Sequence, residues 1–171
     1  MTPARVKTYS SVEKLLPTEQ EILWHHQRTA PVDVVAFAKA LGLSVWEDDL
    51  ENDVSGKIQK DPVNGGRAGY SIIVNATEGL RRKRFTIAHE TAHYLLHRDA
   101  MGASVIDDVL YRSKLSNTLE VQANRLAADI LMPYSLIEEA MQNGTRDVED
   151  LANLFKVSPA AMSIRLNIPV P

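Results

Sequence analysis

The segment LRRKRFTIAHETAHYLLHRD at 80–99 restricts the fold more than any other stretch of the chain. Phe85, Ile87, Ala88, Thr91, Ala92, Leu95 and Leu96 recur at helical intervals and leave little of the circumference polar. Such a helix runs through a core, so other elements must cover it from several sides. Three of the chain's five histidines, His89, His93 and His97, lie inside it.

Elements able to cover it are legible on both sides. Helices are expected at 18–28, where Ile22, Leu23 and Trp24 follow Pro17, and over VDVVAFAKALG, with Pro31 in its first turn and Gly42 as its stop. LSVWE (43–47), VSGKIQK (54–60) and AGYSIIVNA (68–76) are rich in β-branched and aromatic residues. The Asn64-Gly65-Gly66 turn predicts a hairpin from the last two. Residues 98–116 lack a period and read as a long loop with room for one short helix. NTLEVQANRLAADILMP is strongly helical up to Pro133, a further helix reaches Gln142, and two short helices follow at about 147–155 and 159–166.

His89-Glu90-Thr91-Ala92-His93 has the form H-E-x-x-H. Residues four apart on a helix differ by about 40° in azimuth, so both imidazoles can converge on one ion. Glu90, about 100° from its neighbour, can reach a water there but not readily serve as a third ligand; this is the zincin pattern, with glutamate as general base. His97 cannot join, because its Cα lies roughly 12 Å from that of His89. It is expected at the helix C-terminus, where an imidazole suits the macrodipole, the alternative being a role in binding substrate or in supporting a ligand from behind.

A third ligand must come from elsewhere. With no cysteine in 171 residues, thiolate sites, iron–sulfur clusters and disulfides are excluded, and the remaining ligands are acids. Asp99, Asp107 and Asp108 fall in the loop; Glu120 and Asp129 fall on the next helix, about 180° apart, so only one of these two can face the metal. A rigid element favours Glu120.

The two motifs RFTIAHETAHYLLH and EVQANRLAADILMP, in that order, resemble the ImmA/IrrE family of small bacterial and phage-borne metallopeptidases. The likeness extends over roughly residues 31–133. It implies that His89, His93 and Glu120 bind Zn2+ and that Glu90 is the catalytic base. Thr91-Ala92 stands where relatives often have a bulky residue and glycine, and Leu126 where they often have phenylalanine; neither departure touches a ligand. The resemblance further implies intracellular, site-specific proteolysis of a partner helix-turn-helix repressor, in mobile-element, stress, DNA-damage or toxin–antitoxin settings. Tyr94, His97, Tyr111 and Arg125 stay open as oxyanion-stabilising residues.

The expected fold is therefore α+β: a small, mostly antiparallel sheet on a helical zincin core at 1–142, with a helix-turn-helix-like C-terminal segment at 143–171 packed on it. That segment is tested by its charge. Residues 144–171 carry three cations, Arg146, Lys156 and Arg165, against Asp147, Glu149 and Asp150, which disfavours DNA as partner. The whole chain, with 19 Lys and Arg against 22 Asp and Glu, has a net charge of −3 and points the same way. The run Arg81–Arg84 is expected as a solvated face. His25 and His26 are expected at the surface. No apolar run approaches about 18 residues and no signal peptide is evident, so a cytoplasmic protein is expected. The competing reading is a metal-bound regulatory protein that senses stress, or binds repressor or DNA, without cutting.

Overall fold

Strand β3 (Tyr70–Asn75) is buried along most of both faces, with Ser71, Ile72, Val74 and Asn75 all inaccessible, and it accordingly takes the centre of a three-stranded sheet. The computed structural model describes residues 11–101 and 117–170. On one side β1 (Ser44–Asp48) pairs with β3 in parallel, Ser44 opposite Ser71 and Asp48 opposite Asn75. On the other, β2 (Gly56–Lys60) pairs antiparallel, Gly56 opposite Val74 and Lys60 opposite Tyr70. The order β1-β3-β2 makes the sheet mixed, not mostly antiparallel as expected. The hairpin between β2 and β3 is present, but β1 ends in exposed Trp46, Glu47 and Asp48 and takes the far edge. β1 and β2 therefore run in opposite directions on the two sides of β3.

Buried polar groups on β3 fix the connections around the sheet. The Asn75 side-chain amide donates to the carbonyls of Leu50, Glu51 and Val54, which shapes the β1–β2 crossover. Its Oδ1 accepts from the Thr77 hydroxyl at 2.8 Å. The Ser71 hydroxyl donates to Asp61 at 2.7 Å. The Asn64 backbone N–H, then this hydroxyl, hold the Asp61 carboxyl below the usual carboxylate range.

Seven α-helices complete the described residues: α1 (Pro17–His26), α2 (Val34–Ala40), α3 (Leu80–His97), α4 (Asn117–Leu131), α5 (Tyr134–Gln142), α6 (Val148–Phe155) and α7 (Pro159–Arg165). Helix α2 begins later than expected because Asp33 is its cap, accepting from the Ala36 N–H at 2.9 Å; Pro31 lies outside the helix, after a cis peptide bond. Helix α3 passes through the interior as anticipated, with residues buried from Thr86 to His97 on several sides. It packs against α2, α4, β2 and β3. Phe37, Ile72, Leu126, Ile130, Leu151, Phe155 and Met162 belong to one buried cluster, so α6 and α7 share the core of the preceding elements. No described helix is long and apolar enough to cross a membrane.

The basic run at the start of α3 is solvated at Arg81 and Arg82, as expected, and partly buried as an anchor at Lys83 and Arg84. Arg81 donates to Asn153, Arg82 to Ser55, and Lys83 pairs with Glu47 at 2.8 Å. Arg84, its guanidinium pKa lowered by burial, donates to the carbonyls of Val32, Phe155 and Lys156 and ties α3 to α6. A run of cations at a helix N-terminus is tolerated because each finds an acceptor beyond the helix.

Gly56 sets how closely α3 approaches the sheet. A Cβ there would collide with the Thr86 methyl and come within 2.8 Å of the Ile73 carbonyl oxygen. Gly56→Ala is expected to cost about 1–3 kcal/mol through forced displacement of α3. Urea unfolding that leaves the midpoint unchanged would show that the helix yields without cost.

Candidate metal centre

Helix α3 supplies His89, Glu90 and His93, and α4 supplies Glu120. His89 meets Asn124 and Glu120, and His93 meets Glu120, across the contact between the two helices. Their facing side chains gather at one point. His89 Nε2 lies 3.0 Å from His93 Nε2, and the Glu120 carboxylate lies 3.2 Å from each imidazole, Oε2 towards His89 and Oε1 towards His93.

This spacing fits a metal. Ligand atoms bonded to tetrahedral zinc at about 2.0–2.1 Å are separated by roughly 3.3 Å. The two imidazole nitrogens have that spacing, each faces one oxygen of the Glu120 carboxylate, and such a His-His-Glu grouping, with its ligand atoms within 4.8 Å of one another, could hold an ion. Two imidazoles and one carboxylate suit zinc and neighbouring transition metals better than magnesium or calcium. The His93 side chain is 4% exposed and that of Glu120 40%, so the cluster is closed behind and open in front.

Each histidine is also held by its other nitrogen. His89 Nδ1 lies 2.9 Å from Asn124 Oδ1, a contact the amide oxygen can only accept. That leaves the His89 Nε2 lone pair directed into the cluster. His93 Nδ1 lies 3.0 Å from His97 Nδ1, and His97 Nε2 lies 3.0 Å from Gln122 Oε1. His97 ends α3 as expected, but it is buried and its ring is turned to His93 and Gln122. Neither Asn124 nor Gln122 was singled out by the sequence. The available signal was spacing, since Asn124 follows Glu120 by four residues just as His93 follows His89.

The other predicted acids stand apart. Asp129 pairs with Arg165 at 2.7 Å and accepts from the Ser11 N–H at 3.0 Å. Asp99 is exposed in the turn after α3. Asp107, Asp108 and Tyr111 lie outside the described residues. Tyr94 packs on Tyr70, with the Arg98 guanidinium 5.2 Å from its ring. His25 is exposed, whereas His26 is half-buried against Phe37, its Nδ1 2.8 Å from the Ile22 carbonyl oxygen.

Glu90, 7% exposed, lines a groove together with His89 and Glu120. The groove has a volume of about 1730 Å³ and follows α3 and α4 towards α7. Trp24, Phe85, Val121, Tyr134 and Ile164 give it apolar walls, and Arg125 reaches it from α4. Small-molecule sites commonly occupy about 300–1,000 Å³, so this space suits a length of polypeptide.

A peptidase family model described as the IrrE N-terminal-like domain matches residues 38–167. The chain belongs to the ImmA/IrrE family. The radiation response metalloprotease IrrE of Deinococcus radiodurans is 33% identical over 105 residues, which cover 58% of this chain and 32% of that protein. The metallopeptidase ImmA of Bacillus subtilis is 28% identical over 95 residues, covering 54% of this chain and 52% of ImmA. The chain thus spans about a third of one of these ImmA/IrrE relatives and about half of the other. A Mycobacterium tuberculosis transcriptional regulator shares the fold, with a TM-score of 0.59 at 20% identity over 88% of this chain and 45% of its own. Membership in a metallopeptidase family implies a metal, and the His-His-Glu cluster is where this chain could hold one.

Proposed function

We propose that this chain is a cytoplasmic zinc endopeptidase that cleaves a partner helix-turn-helix transcriptional repressor and so relieves repression of mobile-element, stress or toxin–antitoxin genes. The observation that carries the reading is the meeting of two imidazole nitrogens, 3.0 Å apart, with a carboxylate whose oxygens each lie 3.2 Å from one of them, beside buried Glu90 in a groove of polypeptide size. Its supports from outside the site are the peptidase family and the two named metallopeptidase relatives.

In this mechanism His89, His93 and Glu120 hold the ion. Zinc bound there supplies Lewis acidity towards water and towards a peptide carbonyl. Glu90 takes the proton of the attacking water and returns it to the leaving amine. Asn124 fixes the His89 ring by accepting its Nδ1 proton, and the apolar groove wall seats the substrate chain.

A protein partner is favoured over DNA by the fate of Arg165. It is the only cation on α7, and its guanidinium is committed to Asp129, to the Met132 carbonyl at 2.9 Å and to the Tyr134 ring at 3.9 Å. Little is left to meet a phosphate.

The test is incubation with zinc and a repressor encoded by a neighbouring gene, followed by intact-mass spectrometry. The expected result is one pair of fragments whose masses sum to the repressor plus water, abolished by a chelator. A repressor that binds but retains its full mass would favour sequestration and overturn the peptidase reading.

A further inference from the structure

We infer that His97 and Gln122 are positioning residues that place the proton on His93, and thereby decide that this ring presents a lone pair to the metal. The inference rests on the metal site proposed above and adds residues to it.

The chain of contacts has few degrees of freedom. His93 and His97 are both buried, 3% and 6% exposed, and their Nδ1 atoms are 3.0 Å apart. Two imidazole nitrogens at that distance form a hydrogen bond only if one donates and the other accepts. Its direction is set at the far end. Gln122 Oε1, 3.0 Å from His97 Nε2, can only accept, so His97 carries its proton on Nε2. Neutral His97 then has a bare Nδ1, which accepts from His93 Nδ1–H. Neutral His93 in turn has a bare Nε2, and that atom lies 3.0 Å from His89 Nε2 and 3.2 Å from Glu120 Oε1.

Reversing the relay would put a proton on His93 Nε2 and point it into the cluster, where it must move before a metal can bind. Gln122 therefore acts on the metal through two rings without touching it. The spacing is the i, i+4, i+8 repeat of His89, His93 and His97 along one face of α3, met by Glu120 and Gln122 from α4. Both ligand rings are backed by neutral amide oxygens, Asn124 for His89 directly and Gln122 for His93 through His97. A carboxylate in either place would make the ligands more basic and the metal a weaker Lewis acid.

Two measurements on the full chain test this. Zinc affinity is read by chelator competition for the native chain, His97→Phe and His97→Gln, each checked for helix content. His97→Phe keeps a ring but offers no acceptor, and affinity is expected to fall about 10–100-fold. His97→Gln offers an amide oxygen to His93 Nδ1–H and is expected to restore most of that loss. The second measurement needs no variant: long-range 1H–15N NMR of the zinc-loaded native chain should show His97 as the Nε2–H tautomer and His93 protonated at Nδ1.

Equal zinc affinity in the native chain and His97→Phe, or His97 observed as the Nδ1–H tautomer, would overturn the relay and leave the metal site standing. A native chain that binds no zinc would overturn the metal site and the relay with it.

Discussion

Glu90→Gln is expected to lower peptide hydrolysis by about 10²–10⁴-fold while zinc stays bound. The two effects separate because Glu90 is one residue from His89 but about 100° around the helix from it, beside the ligand set rather than in it. Glutamine preserves the length and the branched end of the side chain, so the buried space that Glu90 fills in the groove is still filled. It removes only the capacity to take a proton from water. The variant should therefore hold one zinc per chain by metal analysis, bind the repressor, and fail to cut it. An undiminished rate with zinc in place would remove Glu90 from the chemistry and leave the reaction without a base on α3.

What could be read in advance divides along a physical line. The H-E-x-x-H spacing brings two candidate ligands together because helical geometry is local: once 80–97 is a helix, residues 89 and 93 must share a face. The buried character of α3 was legible for the same reason, from apolar residues distributed around one turn after another. Glu120 was a choice among acids that helix period alone could only narrow to one face, and tertiary packing of α4 on α3 brings it to the histidines. Its competitor Asp129 is occupied by Arg165, a partner 36 residues away that no local pattern displays. The parallel pairing of β1 escaped prediction because strand order depends on which strand is buried on both faces. The anchors made by Lys83 and Arg84 escaped for a related reason: their acceptors Glu47 and Val32 come from two other segments. Likewise His97 looks like a helix-end residue in one dimension, and only the seating of Gln122 beside it turns its ring into a link in the site.

Zinc is expected to raise the melting temperature of the chain by about 5–10 °C when free zinc is a hundredfold above the dissociation constant. Binding to the folded state alone contributes about 2.7 kcal/mol at that excess, and a chain of this length shifts by about 2–4 °C per kcal/mol. A chelator should reverse the shift. The informative comparison is between the two acids of α4. Glu120→Ala removes a side chain that is 40% exposed, so the metal-free protein should melt within about 1–2 °C of the native chain, since surface substitutions usually fall within about 0.5 kcal/mol. With the site weakened a hundredfold or more, the same free zinc adds at most about 0.4 kcal/mol, and the zinc-induced shift should shrink to about 1–2 °C. Asp129→Ala should do the reverse. It leaves Arg165, 11% exposed, without its carboxylate at 2.7 Å, at a cost of about 2 kcal/mol, so the metal-free protein melts about 4–8 °C lower. The increment due to zinc should survive intact, because Asp129 faces the C-terminal helix and not the histidines. If Asp129→Ala lost the zinc shift and Glu120→Ala kept it, the assignment of the third ligand would be inverted. An acid that holds the metal and an acid that holds the fold are thus told apart on one helix, by which of the two melting temperatures each one moves.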